Sequence, residues 1–387
     1  MNSKNFLILF GLAVIVMCFT IFGSDNTAPS SKNEFSPISD LDGTKVKEIQ
    51  ISNSNSDVAL KNVDGKWLVA NRSNYKADSS KVNGLLLKLL STQNVQILPS
   101  SVEGLKQLGL EEGGEKNEIT TKVIFIGDTG EVLSGILLGN MRPSTSSAGP
   151  GQYVRQFKSD TVMLLKSPII AASKPENWIL TELVNVLSHS LYKVETYSNS
   201  TLLFEIKRKS FLNKKPEMFL DAATPAGKVL RDAIVSQVSA GLENLGITDV
   251  SQSSSTEMAE LKFDRESRFY LTNGLVYSVS TAESKDNPPA AFAKLSVSLD
   301  SKLIEELKAL EAKQVISSAS SVSSGIASSS SSSSSAEPLK FADEAEVVRL
   351  NQSFKDWIYK LPEYSSSKFR KNLDEFFETK TESAVPK

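Results

Sequence analysis

Val58–Leu90, VALKNVDGKWLVANRSNYKADSSKVNGLLLKLL, is the stretch on which the reading of the fold turns. Val58 and Leu60 stand at alternate positions, Asp64-Gly65 supplies a two-residue turn of the kind that needs φ > 0, and Trp67 with Val69 resumes the alternation, so the segment predicts a β-hairpin. Asp78 then precedes Val82, Leu85, Leu86, Leu89 and Leu90, spaced i, i+3, i+4, i+7 and i+8. A carboxylate N-cap thus opens a helix with one apolar face. Each of those side chains gains roughly 1.5–3 kcal/mol on burial, and the hairpin's apolar residues are the nearest cover.

Working outward, Val46, Ile49 and Ile51 predict a strand before the hairpin. After the helix come a strand at Val95 to Leu98, a connector at Leu105 to Leu110, a hairpin from Val123 to Leu138 and strands at Tyr153-Val154 and Val162 to Leu165. Gly127-Asp128-Thr129-Gly130 is turn chemistry: it lacks the spacing and lysine of a phosphate loop and precedes a strand, not a helix. Trp178, Ile179, Leu183, Val184 and Leu187 predict a connecting helix. The pattern then repeats. Tyr192 to Asn199 matches Val46 to Asn53, Leu202 to Ile206 stands where Val58 to Leu60 does, and Thr224-Pro225 opens a helix carrying Leu230, Ile234, Val238 and Leu242. Strands at Leu261 to Phe263, Phe269 to Leu271 and Val276 to Val279 follow, the last two flanking Asn273-Gly274. Leu303, Leu307 and Leu310 mark a helix ending near Lys313. Residues 317–336 are nearly pure serine with small residues, too poor in apolar area to offset ordering entropy, and read as a linker. Beyond it, Trp357, Tyr359 and Leu361 predict a strand, and Phe369, Leu373, Phe376 and Phe377 a helix, a plan that reads as a third, partial copy.

The expected fold class is therefore α+β: an N-terminal transmembrane helix, two duplicated lobes of antiparallel strands with packed helices, and a C-terminal strand-helix unit. The boundaries are an anchor at 1–24, a tether at 25–44, lobes at 45–180 and 181–316, a linker at 317–338 and a final segment at 339–387. Phe6 to Gly23 is an uninterrupted apolar run of roughly 27 Å as a helix, close to the hydrocarbon core. Ile21 and Phe22 crowd the one plausible cleavage site, so the run reads as an uncleaved anchor. Met17 before Cys18 is a poor lipid-attachment context. Lys4 precedes the span, which places the bulk of the chain outside the cytoplasm, on a single-pass protein of the cytoplasmic membrane.

The signature Val58-x-Leu60, Gly65-x-Trp67, Tyr75-x-Ala77-Asp78, Val82 with Leu85-Leu86, Leu105-x-x-Leu108-Gly109-Leu110, Gly151-x-Tyr153-Val154-Arg155 and Val162-x-Leu164-Leu165 resembles the bacterial family called domain of unknown function 4340. Trp357-x-Tyr359-x-Leu361-Pro362-x-Tyr364 is similar to the C-terminal signature of its longer members. The resemblance implies a membrane-anchored protein without established activity, associated with ABC-type transport systems of the gliding-motility kind. Permease or auxiliary subunits are then the expected partners.

Composition narrows the chemistry. Across 387 residues, 40% hydrophobic and 23% charged is globular, and a net charge of −2 gives no footprint for nucleic acid. One cysteine precludes an intrachain disulfide, and one histidine leaves little for a transition-metal site. His189 between Ser188 and Ser190 is no triad. Lys207, Arg208, Lys209, Lys214 and Lys215 read as a solvated hairpin face, with anionic lipid or an acidic partner as the functional reading. Glu111-Glu112 and Asp343-Glu344-Glu346 fit turn and helix-start roles better than calcium or acid/base work. The three tryptophans read as core. No catalytic, cofactor-binding or metal residue is assigned. The expectation is an extracytoplasmic scaffold or binding subunit; the alternative is an envelope enzyme or glycan-binding module with a carboxylate-based site.

Overall fold

A computed structural model describes residues 37–38, 41–92, 94–98, 101–111, 120–143, 150–209, 217–320 and 339–380. In chain order the first elements are β1 (Glu48–Ser52), β2 (Asp57–Val63), β3 (Lys66–Val69), β4 (Tyr75–Lys76), helix α1 (Ser79–Ser91), β5 (Asn94–Leu98), α2 (Val102–Gln107), β6 (Thr121–Ile126), β7 (Val132–Arg142), β8 (Gly151–Gln156) and β9 (Val162–Leu165). Next come β10 (Glu182–Val184), β11 (Leu191–Ser198), β12 (Thr201–Arg208), β13 (Met218–Leu220), β14 (Lys228–Leu230), α3 (Asp232–Ser239), β15 (Leu245–Gly246), β16 (Asp249–Gln252), β17 (Arg265–Leu271), β18 (Leu275–Glu283) and β19 (Ala291–Leu299). The last are α4 (Ser301–Ser320), α5 (Glu344–Phe354), β20 (Trp357–Leu361), α6 (Glu363–Ser366) and β21 (Phe377–Thr379). The α+β class is as expected. The chain forms two compact units: one runs to Gly65 and resumes over Ser80–Lys174, the other takes Lys66–Ser79 and Pro175 onward.

In the first unit an antiparallel sheet runs β2-β1-β6-β7-β8-β9-β5. Ile49, Ile51, Val58 and Leu60 are buried, as are Val82, Leu85, Leu86 and Leu89 of α1. Leu90 departs from the expectation and is 36% exposed. Leu137 alternates with Ile136 along β7, and it packs with Leu105, Leu108 and Leu110 together with Tyr153 and Val162. Asp64 (φ 50) and Gly65 (φ 77) form the expected left-handed turn into β3.

The second unit's main sheet runs β13-β12-β11-β17-β18-β19-β20-β16, accompanied by the pairs β3-β4, β10-β15 and β14-β21. With β13 set aside, with β3 and β4 counted in the second unit to which Lys66–Ser79 belongs, and with the remaining strands numbered from each sheet's own first, both sheets read 2-1-4-5-6-7-3. The agreement extends to the helix starts. Asp78 N, just before α1, donates to the Trp178 carbonyl (2.7 Å), and Arg231 N, just before α3, donates to the Phe376 carbonyl (2.8 Å). In each case the residue before the donor pairs with the residue after the acceptor: Ala77 bridges Ile179, and Leu230 pairs with Phe377.

This order corrects the reading of the C-terminus. β20 is the seventh strand of the second sheet, placed between β19 and β16 as β9 is between β8 and β5, so it belongs to this sheet and starts no third unit. In sequence, α4, the serine-rich stretch and α5 form an insertion between β19 and β20. The boundaries at 45–180 and 181–316 accordingly differ from the compact units, which give Lys66–Ser79 and the 339–380 segment to the second.

Several local expectations are also revised. Trp178 to Leu187 forms no helix but the short strand β10 and irregular backbone, drawn into bonds such as Leu180 N to the Lys76 carbonyl. Gly227 at φ 72 breaks the segment after Thr224-Pro225, so Leu230 lies in β14 and the helix begins only at Asp232. Leu261 to Phe263 precede the strand β17 without joining it. Phe376 ends a 3-10 turn closed by an Asn372–Glu375 capping box, and Phe377 enters β21, so no long helix forms among the described C-terminal residues. Helix α4 continues past Lys313 and runs to Ser320. Ile38 and Leu41, assigned to the tether, are buried, and Asp42 caps a 3-10 turn. Phe6–Gly23, Cys18 and residues 321–338 lie outside the described residues; among the described residues no helix is long and apolar enough to cross a membrane.

Candidate functional site

The residues weighed in the sequence are not drawn together. His189 is exposed in a 3-10 turn, its carbonyl accepting from Arg208 (3.1 Å). Lys207 pairs with Glu205 and Asp221, and Lys209 lies 3.5 Å from Glu217. Asp343 caps α5 by accepting from Glu346 N (2.9 Å). Glu111 is half-buried; Glu112, Lys214 and Lys215 lie outside the described residues. No group of His, Cys, Asp and Glu among the described residues could hold a metal.

Two regions of the second unit concentrate polar chemistry. On one face of the sheet, the alternation of β11 and β17 turns Val194, Phe269 and Leu271 inward and leaves Lys193, Glu195, Tyr197, Glu266, Arg268 and Tyr270 on the opposite face. Glu195, 8% exposed, accepts from Lys193 (2.7 Å), Tyr197 (2.8 Å) and Tyr270 (2.7 Å). Burial pushes its carboxyl up, but the Lys193, Tyr270 and Tyr197 donors outweigh it and the net shift is downward. Burial and the adjacent Glu195 carboxylate both push the Tyr270 phenol up. Lys193 sits over the Tyr270 ring at 4.2 Å and Arg268 over Tyr197 at 4.6 Å, while Arg268 forks onto Glu266 (2.9 and 3.0 Å). The charges and ring faces occupy one another. An anionic carboxylate with three donors has no proton to give, which suits a rigid polar face better than general acid catalysis.

The second region is a groove of about 450 Å³, in the range of small-ligand sites. Four chain segments build it. Ser73 (φ 54) and Asn74 (φ 62) turn the chain from β3 into β4, which brings Leu68, Tyr75 and Lys76 to one wall. Leu180, Glu182 and Leu183 form a second wall, the last turns of α5 (Arg349, Gln352, Phe354) a third, and Trp357 with Tyr359 of β20 the last. The Tyr75 ring meets Trp357 edge-on at 5.0 Å and Tyr359 at 6.4 Å. Tyr359 donates to the Ser353 carbonyl (3.3 Å). Tyr75 lines the groove at only 6% exposure, and its hydroxyl has no hydrogen-bond partner among the described residues. Burial alone pushes its phenol up to about 12. Lys66, Lys76 and Arg349 are exposed at the rim against one exposed acid of the lining, Glu182, and Arg349 reaches Glu346 at 3.8 Å.

The wall carrying Tyr75 is held in place. Arg72 forks onto Asp249 of β16 (Nε–Oδ1 2.6 Å, Nη2–Oδ2 2.8 Å) and reaches Glu176 at 3.3 Å. Its hydrogen bond to Asp249 holds the guanidinium above its ordinary value, against desolvation. Asp249 pairs in register with Lys360 of β20, so the clamp ties the Tyr75 loop to the strands that carry Trp357 and Tyr359. The expectation that the tryptophans are core suits Trp67 and Trp178 at 5% exposure, but Trp357 is half-buried at the groove. The legible signal is the spacing Trp357-x-Tyr359 beside the separate Tyr75-x-Ala77; nothing in the sequence alone links them.

Comparison with known proteins adds one finding. No curated protein and no solved structure matches the chain. A family model described as "Domain of unknown function (DUF4340)" matches residues 67–266, just over half of the chain, from Trp67 in β3 to Glu266 in β17. The stretch takes in Tyr75 and the Arg72–Asp249 pair and continues into the second sheet. On that match the chain belongs to the DUF4340 family.

Proposed function

We propose that this protein is an extracytoplasmic binding subunit that acts by contact, held to the cytoplasmic membrane by Phe6–Gly23 and auxiliary to an ABC-type transport system. The observation that carries the reading is the groove of the second unit, with aromatic walls, a cationic rim and a phenol hydroxyl that has no partner among the described residues. A single span with the bulk of the chain outside raises the local concentration of that groove at a membrane complex, so a small interface suffices. The shared strand order of the two sheets supports an internal duplication in which the second copy acquired the α4–α5 insertion. The envelope-enzyme alternative finds its best carboxylate in Glu195, whose three donors favour a binding or structural role.

The test is photocrosslinking in intact cells from an amino acid placed at Leu180, which is 38% exposed at the groove. Capture of permease or auxiliary subunits supports the reading. A full-length protein that gives no groove-dependent crosslink, and that turns over a glycan or peptide in a manner lost on Glu195→Gln, replaces it with the enzyme.

A further inference from the structure

The groove admits a more specific assignment, which rests on the contact reading above. We propose that its occupant is a short acidic peptide segment of a partner protein, which sets an apolar side chain beside Trp357 and Leu180, accepts a hydrogen bond from Tyr75 and places carboxylates against Lys66, Lys76 and Arg349.

Tyr75 is the first observation. Its ring is enclosed by Trp357 and Tyr359, and phenylalanine would keep both of those contacts, so the packing does not account for the hydroxyl. That hydroxyl is carried by a buried ring that lines the groove, and it is a donor that no described residue uses. An acceptor arriving from outside accounts for it, and a peptide carbonyl or carboxylate is such a group. Charge is the second. The rim carries Lys66, Lys76 and Arg349 against Glu182, with Glu346 beside Arg349, so the two lysines dominate the mouth and favour an anionic segment over a basic one. Shape is the third. A cavity of about 450 Å³ walled by Leu68, Leu180, Leu183 and Phe354 accommodates one large apolar side chain and its neighbours, the anchor-and-rim arrangement of peptide recognition.

The experiment selects binders from a random octapeptide display library with the full-length protein in detergent, then measures the affinity of a selected peptide by fluorescence anisotropy. The expected peptides carry Leu, Phe or Trp within about four residues of Asp or Glu. Lys66→Glu with Lys76→Glu weakens binding at least about tenfold, and salt weakens it further. Tyr75→Phe weakens it roughly three- to tenfold, the loss of one hydrogen bond, while leaving the melting temperature unchanged or raised. A purely structural Tyr75 would instead lower the melting temperature and leave affinity alone. Basic or uncharged consensus sequences, no enrichment, or insensitivity to the charge reversal would overturn the assignment, as would phosphatidylglycerol vesicles that compete the peptide away. A Leu180 crosslink to a membrane partner through a non-acidic segment would overturn the peptide class and keep the contact reading. Loss of the crosslink altogether removes the contact reading itself.

Discussion

Replacing Arg72 by methionine keeps most of its apolar stem and removes the guanidinium from Asp249 and Glu176. The fork is short and two-pronged, and a hydrogen bond to a charged group contributes about 1.5–3 kcal/mol. The Arg72 and Asp249 side chains remain 24% and 28% exposed, so solvent screens part of that gain. The expected loss is about 1–2 kcal/mol, or ~2–8 °C in the melting of a unit this large. All three tryptophans, Trp67, Trp178 and Trp357, lie in the second unit, so tryptophan fluorescence during urea unfolding follows that unit alone. Because Trp357 stands at the groove, Arg72→Met also shifts the native emission to the red as the Tyr75 wall loosens. A double-mutant cycle with Asp249→Asn separates the pair from its surroundings, with an expected coupling of about 1 kcal/mol. Additive single effects with unchanged native emission would refute the clamp.

Further expectations test the rest of the architecture. Leu89→Ala, at 1% exposure in α1, costs about 2–5 kcal/mol, whereas Leu90→Ala, at 36%, costs less than about 0.5, by thermal unfolding followed by circular dichroism. A raised Tyr75 pKa means the native state holds its proton longer than the unfolded chain. Stability is therefore fully present below pH ~10 and falls by about 2–3 kcal/mol as pH rises to about 12; Tyr75→Phe should flatten urea midpoints over that window. Conversely, the lowered Glu195 pKa gives stability that is present above its unfolded value and lost as pH falls through its native one, so Glu195→Gln should reduce acid sensitivity in the same measurement. Ending the chain at Ser320 removes β20 and β21 and should unfold the second unit, while halving 321–336 should leave its urea midpoint unchanged.

What is legible in the sequence is local. The Asp64-Gly65 turn, the buried positions Val82, Leu85, Leu86 and Leu89, the paired strands β6 and β7, and the correspondence of Leu202 to Ile206 with Val58 to Leu60 all rest on period and turn chemistry within a few residues. Where propensity and tertiary pairing compete, pairing wins: Leu230 has helical spacing with Ile234 and Val238 but is drawn into β14 by Phe377, from the far end of the chain. The groove is invisible for the same reason. Tyr75, Leu180, Arg349 and Trp357 share no local pattern, and the Tyr75 hydroxyl stands out only once the ring is enclosed.

The position of β20 links the architecture to the site. In the first sheet β8 turns directly into β9, so the strand that joins β8 to β5 arrives early and locally. In the second sheet the equivalent strand comes only after α4, the serine-rich stretch and α5, and β16 waits for it across roughly a hundred residues, at a closure cost that grows only logarithmically with length. The insertion therefore costs little thermodynamically, and it changes what surrounds the last strand. α5 lies against β19, where Asn351 exchanges two hydrogen bonds with the Val297 backbone (2.8 and 2.7 Å), and it ends beside Trp357. Arg349, Gln352 and Phe354, three of the groove's lining residues, come from that inserted helix. Residues 157–161, which join the sixth and seventh strands of the first sheet, are all described and hold no helix. The groove is thus a property of the second sheet and, on the duplication reading, was created where the repeat was interrupted.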